Sequence, residues 1–371
     1  MTEGEGWQDL FALLDRIPLL HGLKQDLSQL RRLLVGRRVP RVVALGTPGS
    51  GRAALGGALL GAPLGPGAAR ADVTASNEAG SNEAASNPSP SDPCTGRWAT
   101  LEHGGRAIEW AEVDVGEAAR PQLCALASLH SPDVLLAVAT VAEVEAGFGA
   151  VLEVLDSARE LFGQSGGAPC PILVVLVVDG DPGELASEQR ERLGRALREA
   201  SLPASLHVVV RRGGRFEPDA PGIAALASAL VDALPEAARL EGGRALPAAS
   251  AARRRLAATL VRSCATLAVS VALSPLPLSD VAVLAPLQAT MVTALAYLSG
   301  RPWEPRTVVE WLTSLGLVGA AGLGMRWGAQ QLVKIVPGTG SVVSATIAGG
   351  GTLTLGRSAA RYFLGEDLPR V

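Results

Sequence analysis

The frame Gly46-Thr47-Pro48-Gly49-Ser50-Gly51-Arg52-Ala53 follows a short β-branched run, Arg41 to Gly46, and leads into a helix-like stretch, Ala53 to Leu60. Strand, glycine loop and helix in that order make a phosphate cradle. Backbone N–H groups at the helix start point at the anion, a lysine reaches the β and γ oxygens, and a Ser or Thr hydroxyl holds Mg²⁺. The glycine spacing of G-x-x-x-x-G-K-[ST] is kept, so Gly46, Gly49, Ser50 and Gly51 form a candidate anion nest. The two chemically decisive side chains are replaced. Arg52 brings a planar fork where a compact ammonium fits, and Ala53 has no oxygen for a metal. The same glycines, taken alone, equally make a tight turn.

The elements that position this loop are readable as alternating patterns. Leucines at helical spacing before residue 40 predict one or two amphipathic helices. Arg97 to Glu102 and Ala107 to Val113 flank Gly104-Gly105 and predict a hairpin. Apolar strands at Val134 to Val141, Pro171 to Val178 and Ser205 to Val210 alternate with helices at Glu143 to Phe162, Leu185 to Ala200 and Ile223 to Leu234. Continuous Val/Leu runs between amphipathic helices predict an α/β fold: a central, mostly parallel sheet with helices on both faces. Residues 68–93, with Ser76-Asn-Glu-Ala repeated at Ser81, bury too little apolar area to offset chain entropy and are expected to be a disordered insertion.

On the loop and the order of elements, residues 40–240 resemble the translation-factor-like GTPases, in particular the bacterial Era-like P-loop G domains. The resemblance implies GTP or GDP with Mg²⁺ as cofactors, and it implies roles for four further residues. Thr95 matches the threonine that helps hold Mg²⁺, and an ordinary loop threonine is an equal reading. In Glu112-Val-Asp114-Val-Gly116 the family's Asp-x-x-Gly is one residue short, leaving Asp114 as the metal-side match. In Val178-Asp179-Gly180-Asp181 the base-recognising Asn/Thr-Lys-x-Asp is reduced to Asp181 or, with a shift, Asp179; either carboxylate equally opens a turn or caps a helix. The family's last signature, Ser-Ala, is replaced by Arg211-Arg-Gly-Gly-Arg215. No catalytic residue is expected, and an efficient GTPase is not expected.

Beyond Gly242 the chain becomes apolar. Leu256 to Leu298 carries only Arg262 and Asp280 as charges and is split at Pro275-Leu-Pro277 into two segments of about a bilayer span each. Pro275 to Asp280, Leu284 to Met291 and Arg326 to Ser341 resemble the bacterial domain of unknown function 697, which often follows an Era-like G domain, as in YcjF-type inner-membrane proteins. The resemblance covers about residues 250–365. The expected organisation is therefore N-terminal amphipathic helices (1–39), a G domain (40–240) and an apolar all-α domain (250–371). The G domain is expected to be cytoplasmic. Residues 256–360 are expected to meet membrane lipid or a membrane protein at the inner membrane.

Composition narrows the function classes. In 371 residues, 33 basic and 36 acidic side chains give a formal net charge of −3, so no basic surface invites nucleic acid. Four cysteines, Cys94, Cys124, Cys170 and Cys264, lack the C-x-x-C spacing of zinc or redox sites. The N-terminus has no basic stretch leading into an apolar core, so no secretory signal is expected. Three readings follow: a membrane-associated or assembly-scaffolding pseudo-GTPase, a homo- or hetero-oligomer with another G-domain protein being one form; an atypical GTP-binding protein with slow hydrolysis; and a pore-like helical membrane protein.

Overall fold

The computed structural model describes residues 24–61, 96–163, 169–180, 184–216, 222–273, 283–304, 306–314 and 340–365. Thr95, Asp181, the 68–93 insertion, the Pro275 to Asp280 break and residues 315–339 lie outside them. The chain divides into two compact units, residues 39–252 and residues 1–38 with 253–371.

The first unit is built on six strands: β1 (Arg41–Gly46), β2 (Ala99–His103), β3 (Arg106–Asp114), β4 (Val134–Thr140), β5 (Ile172–Asp179) and β6 (Ala204–Arg211), in the spatial order β2-β3-β1-β4-β5-β6. Only β2 runs antiparallel, joined to β3 through Gly104 and Gly105, whose positive φ suits a two-residue hairpin turn. The helices are α2 (Arg52–Leu59), α3 (Ala119–Leu129), α4 (Val141–Glu145), α5 (Gly149–Gly163), α6 (Glu184–Glu199), α7 (Ile223–Ala233) and α8 (Glu236–Ala245), with α1 (Lys24–Leu34) preceding β1.

Period-two alternation sorts the strand residues onto two cores. Val42, Ala44, Val134, Leu136 and Val138 face α2, α7 and the segment after α8, whereas Val43, Leu45, Leu135, Ala137 and Ala139 face α3, α5 and α6. Both faces are covered, which is why β4 reads as an unbroken apolar run. The chain leaves β1, builds β2 and β3 on one side, then crosses to β4 on the other. That reversal opens a crevice beyond the carboxyl end of β1, the general ligand position of open α/β sheets, and the glycine loop lies there.

One predicted helix is two. The sequence predicts a single helix from Glu143 to Phe162; instead Thr140 and Glu143 form a capping box that starts α4 at Val141. The chain then breaks at Gly147 (φ 104°) and Phe148 (φ 56°) before α5 begins. Burial of the Phe148 ring beside Val151 offsets the cost of a left-handed backbone at a bulky residue.

The second unit contains α1, α9 (Ser250–Leu273, from residue 253 onward), α10 (Ala285–Leu298), α11 (Arg306–Ser314) and α12 (Gly340–Leu364). Helix α12 meets its neighbours on glycines. A Cβ at Gly349 would lie 2.4 Å from Val269, and one at Gly356 would lie 2.6 Å from Val261 and 3.1 Å from Met291. Gln288 of α10 donates to Thr352 Oγ1 of α12 at 2.9 Å inside this contact. The guanidinium of Arg37 stacks on Tyr297 and Trp303, 5.0 and 4.4 Å from the ring centroids. Helix α9 is the one described helix long and apolar enough to cross a bilayer, with mean hydropathy 1.8, and buried core helices pass the same test. Its exposed residues are Arg255, Arg262, Thr266 and, at the C-terminal end, Leu273, so most of that side is polar, and the hydroxyls of Thr259, Thr266 and Ser270 donate to carbonyls one turn back at 3.0, 3.1 and 3.2 Å.

The fold predicts where a single methyl group is not tolerated. Gly222 precedes α7 with φ 90°, and a Cβ there would lie 1.8 Å from the Val208 carbonyl oxygen. Gly222→Ala is expected to cost about 3 kcal/mol or more, from left-handed strain plus backbone displacement. Urea denaturation of the two proteins checks this; a loss under about 1 kcal/mol would mean that β6 and α7 adjust freely.

Candidate nucleotide site

Strand β1 delivers the chain to Gly46, where there is no room for a side chain: a Cβ would lie 2.8 Å from both Ser50 Oγ and the Val138 carbonyl oxygen. Ser50 N–H donates to the Thr47 carbonyl at 3.1 Å, and Gly49 and Gly51 take φ of 85° and 91°, so the loop turns tightly onto α2. Helix α2 starts with no side-chain cap and no acid in its first turn. Its free N–H groups keep the geometry of an anion nest.

Arg52, the first residue of α2, does not reach into that nest. Its side chain is buried, about 2% exposed, and runs beneath the loop between the ends of β1 and β3. Nη1 donates to the Gly46 carbonyl at 2.9 Å and to the Val113 carbonyl, Nη2 pairs with the Asp114 carboxylate, and Nε lies 3.5 Å from Glu112 Oε2. The other oxygen of Glu112 accepts from Trp110 Nε1 at 3.2 Å. Such a rigid fork satisfies four acceptors at once, which a lysine does not. The Arg52 cation is thus committed to the carboxylates of Asp114 and Glu112 beneath the loop. Asp114, the residue matched to the metal side, is taken by Arg52, and its own N–H is used as well, donating to Gln122 Oε1 at 3.0 Å. Ala53 offers nothing to a metal, and the described residues include no group of three or more His, Cys, Asp or Glu side chains able to hold an ion. Ser50 Oγ is buried with no hydrogen-bond partner among the described residues.

Asp179, expected at the base side, is engaged by a neighbouring strand. Registry places Asp179 at the end of β5 opposite Arg211 at the end of β6, and the two form a bidentate pair at 2.7 and 2.7 Å. The Arg211 guanidinium holds the Asp179 carboxyl below the usual carboxylate range. Arg211 Nη1 also lies 3.5 Å from the Gly49 carbonyl oxygen, and a Cβ on Gly51 would sit 3.2 Å from it and 3.0 Å from the Phe216 ring. Of the sequence-predicted residues, Gly46, Gly49, Ser50, Gly51, Arg52, Ala53 and Asp114 therefore gather at the end of β1, and Asp179 stands apart, engaged by Arg211. Arg211 and Phe216 were not predicted as site residues; the signal for them was the replacement of Ser-Ala by Arg211-Arg-Gly-Gly-Arg215.

No protein-family model and no curated protein matches the chain. Among solved structures, the chain is similar to a GTP-binding protein from the archaeon Sulfolobus solfataricus in complex with GDP, at 15% identity, covering 57% of this chain and 61% of that one, with a TM-score of 0.26. A point variant of SsGBP gives 18% identity, 53% and 62% coverage and a TM-score of 0.27. The chain thus spans less than two thirds of the length of either structure. At such low superposition the fold description rests on the strand order and the position of the glycine loop.

Two outcomes follow. Arg52→Ala removes the guanidinium from the buried carboxylates and is expected to cost about 3–5 kcal/mol in denaturant unfolding followed by tryptophan fluorescence; a cost below about 1 kcal/mol would mean the buried charges are not coupled. Because the folded pKa of Asp179 is depressed, the stabilisation from its pair with Arg211 is complete above the ordinary carboxylate value of about 3.9 and is lost as pH falls through the lower folded value. NMR titration of the Asp179 carboxyl should give a midpoint below that ordinary value, returning to it in Arg211→Ala.

Proposed function

We propose that this chain is a GTPase-like protein that has kept the P-loop α/β framework and filled the nucleotide site with its own side chains: a pseudo-GTPase that works as a scaffold. The observation that carries the reading is the inward turn of Arg52, whose buried guanidinium serves Gly46, Val113 and Asp114 with Glu112 alongside, and is thereby held away from a phosphate in the loop. The Arg211–Asp179 pair at the base side supports it independently. The assembly contact falls to the helical unit, at a membrane as the resemblance to domain 697 implies, or on a partner subunit such as another G-domain protein. The polar exposed side of α9 favours a peripheral contact over a helix that faces lipid all round. Against a pore-like role, α10, at 14 residues, is short for a span of about 20.

A second reading, weak binding of GTP or GDP without efficient hydrolysis, draws on the uncapped N–H groups at the start of α2 and on the unpartnered Ser50 hydroxyl. Calorimetric titration of the full chain with GTP, GDP and ATP, each with and without Mg²⁺, separates the two. The scaffold reading expects no binding up to about 1 mM nucleotide. Metal-dependent GTP binding in the micromolar range would overturn it and favour the second reading.

A further inference from the structure

The segment that leaves β6 is anchored at both ends over the glycine loop. At one end Arg211 is gripped by Asp179 and reaches the Gly49 carbonyl oxygen; at the other, Phe216 is 3% exposed, inserted in the core shared with α2 and α7, with its ring against Gly51. Between the anchors, Arg212 and Arg215 exchange reciprocal backbone hydrogen bonds of 3.0 Å across Gly213 (φ 56°) and Gly214 (φ 76°), which makes a stiff two-residue hairpin turn. Gly180 N–H donates to the Arg211 carbonyl at 3.0 Å and ties the turn to the end of β5.

We propose that residues 211–216 form an autoinhibitory latch over the glycine loop, whose reversible element is the Arg211–Asp179 pair. The inference rests on reading the glycine loop as a former nucleotide site and adds a cover that opens independently of Arg52. The two anchors differ in kind. Phe216 is held by apolar burial and stays put under any ionic condition in which the unit is folded. Asp179 is 63% exposed on its side chain while Arg211 is only 16% exposed. The carboxylate is therefore open to salt and protons, and its release frees the fork that sits against Gly49. The Arg211 side chain then leaves the loop while the backbone of the turn stays tied to β5 through Gly180 N–H, which uncovers the loop without unfolding β6.

Hydrogen exchange on the full chain, without nucleotide, reads the latch directly. In Arg211→Ala and in Asp179→Asn, peptides covering residues 47–53 should exchange about five- to tenfold faster than in the unsubstituted protein. Arg212→Ala, on the same turn but outside the pair, should leave them unchanged. Raising the salt to about 0.5 M should move the unsubstituted protein toward the two latch variants and leave Asp179→Asn where it is. Unchanged exchange at 47–53 in Arg211→Ala would overturn the proposal, and so would acceleration spread evenly over residues 39–252, which marks a general loss of stability. Since no nucleotide is present, failure of the latch and failure of the pseudo-GTPase reading are read separately.

Discussion

A buried guanidinium holds the end of the central strand in place. Arg52 joins the Gly46 carbonyl on β1 to the Val113 carbonyl and the Asp114 carboxylate on β3, with Glu112 alongside and Trp110 behind it. A buried charge is tolerated only when its partners are complete, so every group in the cluster depends on the others. The consequence for function is direct. On the proposed reading, the cation that a phosphate-binding loop turns outward is here turned inward and is part of the core.

The same logic extends across the crevice at the switch point of the sheet. Helix α2 starts with no side-chain cap and a favourable dipole, yet the cation of its first residue is committed to Asp114 and Glu112, and Arg211 and Phe216 pack against Gly51. In the helical unit the constraint is different. Glycines 349 and 356 let α12 approach Val269, Val261 and Met291, and α9 keeps its hydroxyls bonded along its own turns on the outward side.

Much of the framework was legible because burial on both faces writes itself into unbroken runs such as Val134 to Ala139 and Ile172 to Val178, and because Gly104-Gly105 leaves few alternatives to a hairpin. The break between α4 and α5 was hidden, since the capping box of Thr140 and Glu143 and the left-handed Phe148 compete with a helical pattern that continues through them. At the site, the residue types at positions 46–53 were readable, but the direction of Arg52 was not. It depends on Glu112, which looks like an ordinary outward residue of a strand and is 2% exposed. The Arg211–Asp179 pair comes from the registry of β5 with β6 and joins residues 32 apart in the chain, a relation that spacing along one element does not reveal. Its sequence trace was the arginine-rich run standing where the resembled family has Ser-Ala.

The central claim, that Arg52 is an internal structural cation and not a ligand-binding one, is tested most directly by a double-mutant cycle of Arg52→Ala and Glu112→Ala, read as unfolding free energies. The account predicts strong coupling, about 2 kcal/mol or more, with the double variant markedly more stable than the two single losses would sum to. Losses that add within about 0.5 kcal/mol would contradict it, because an arginine free to serve a ligand has no such dependence on Glu112.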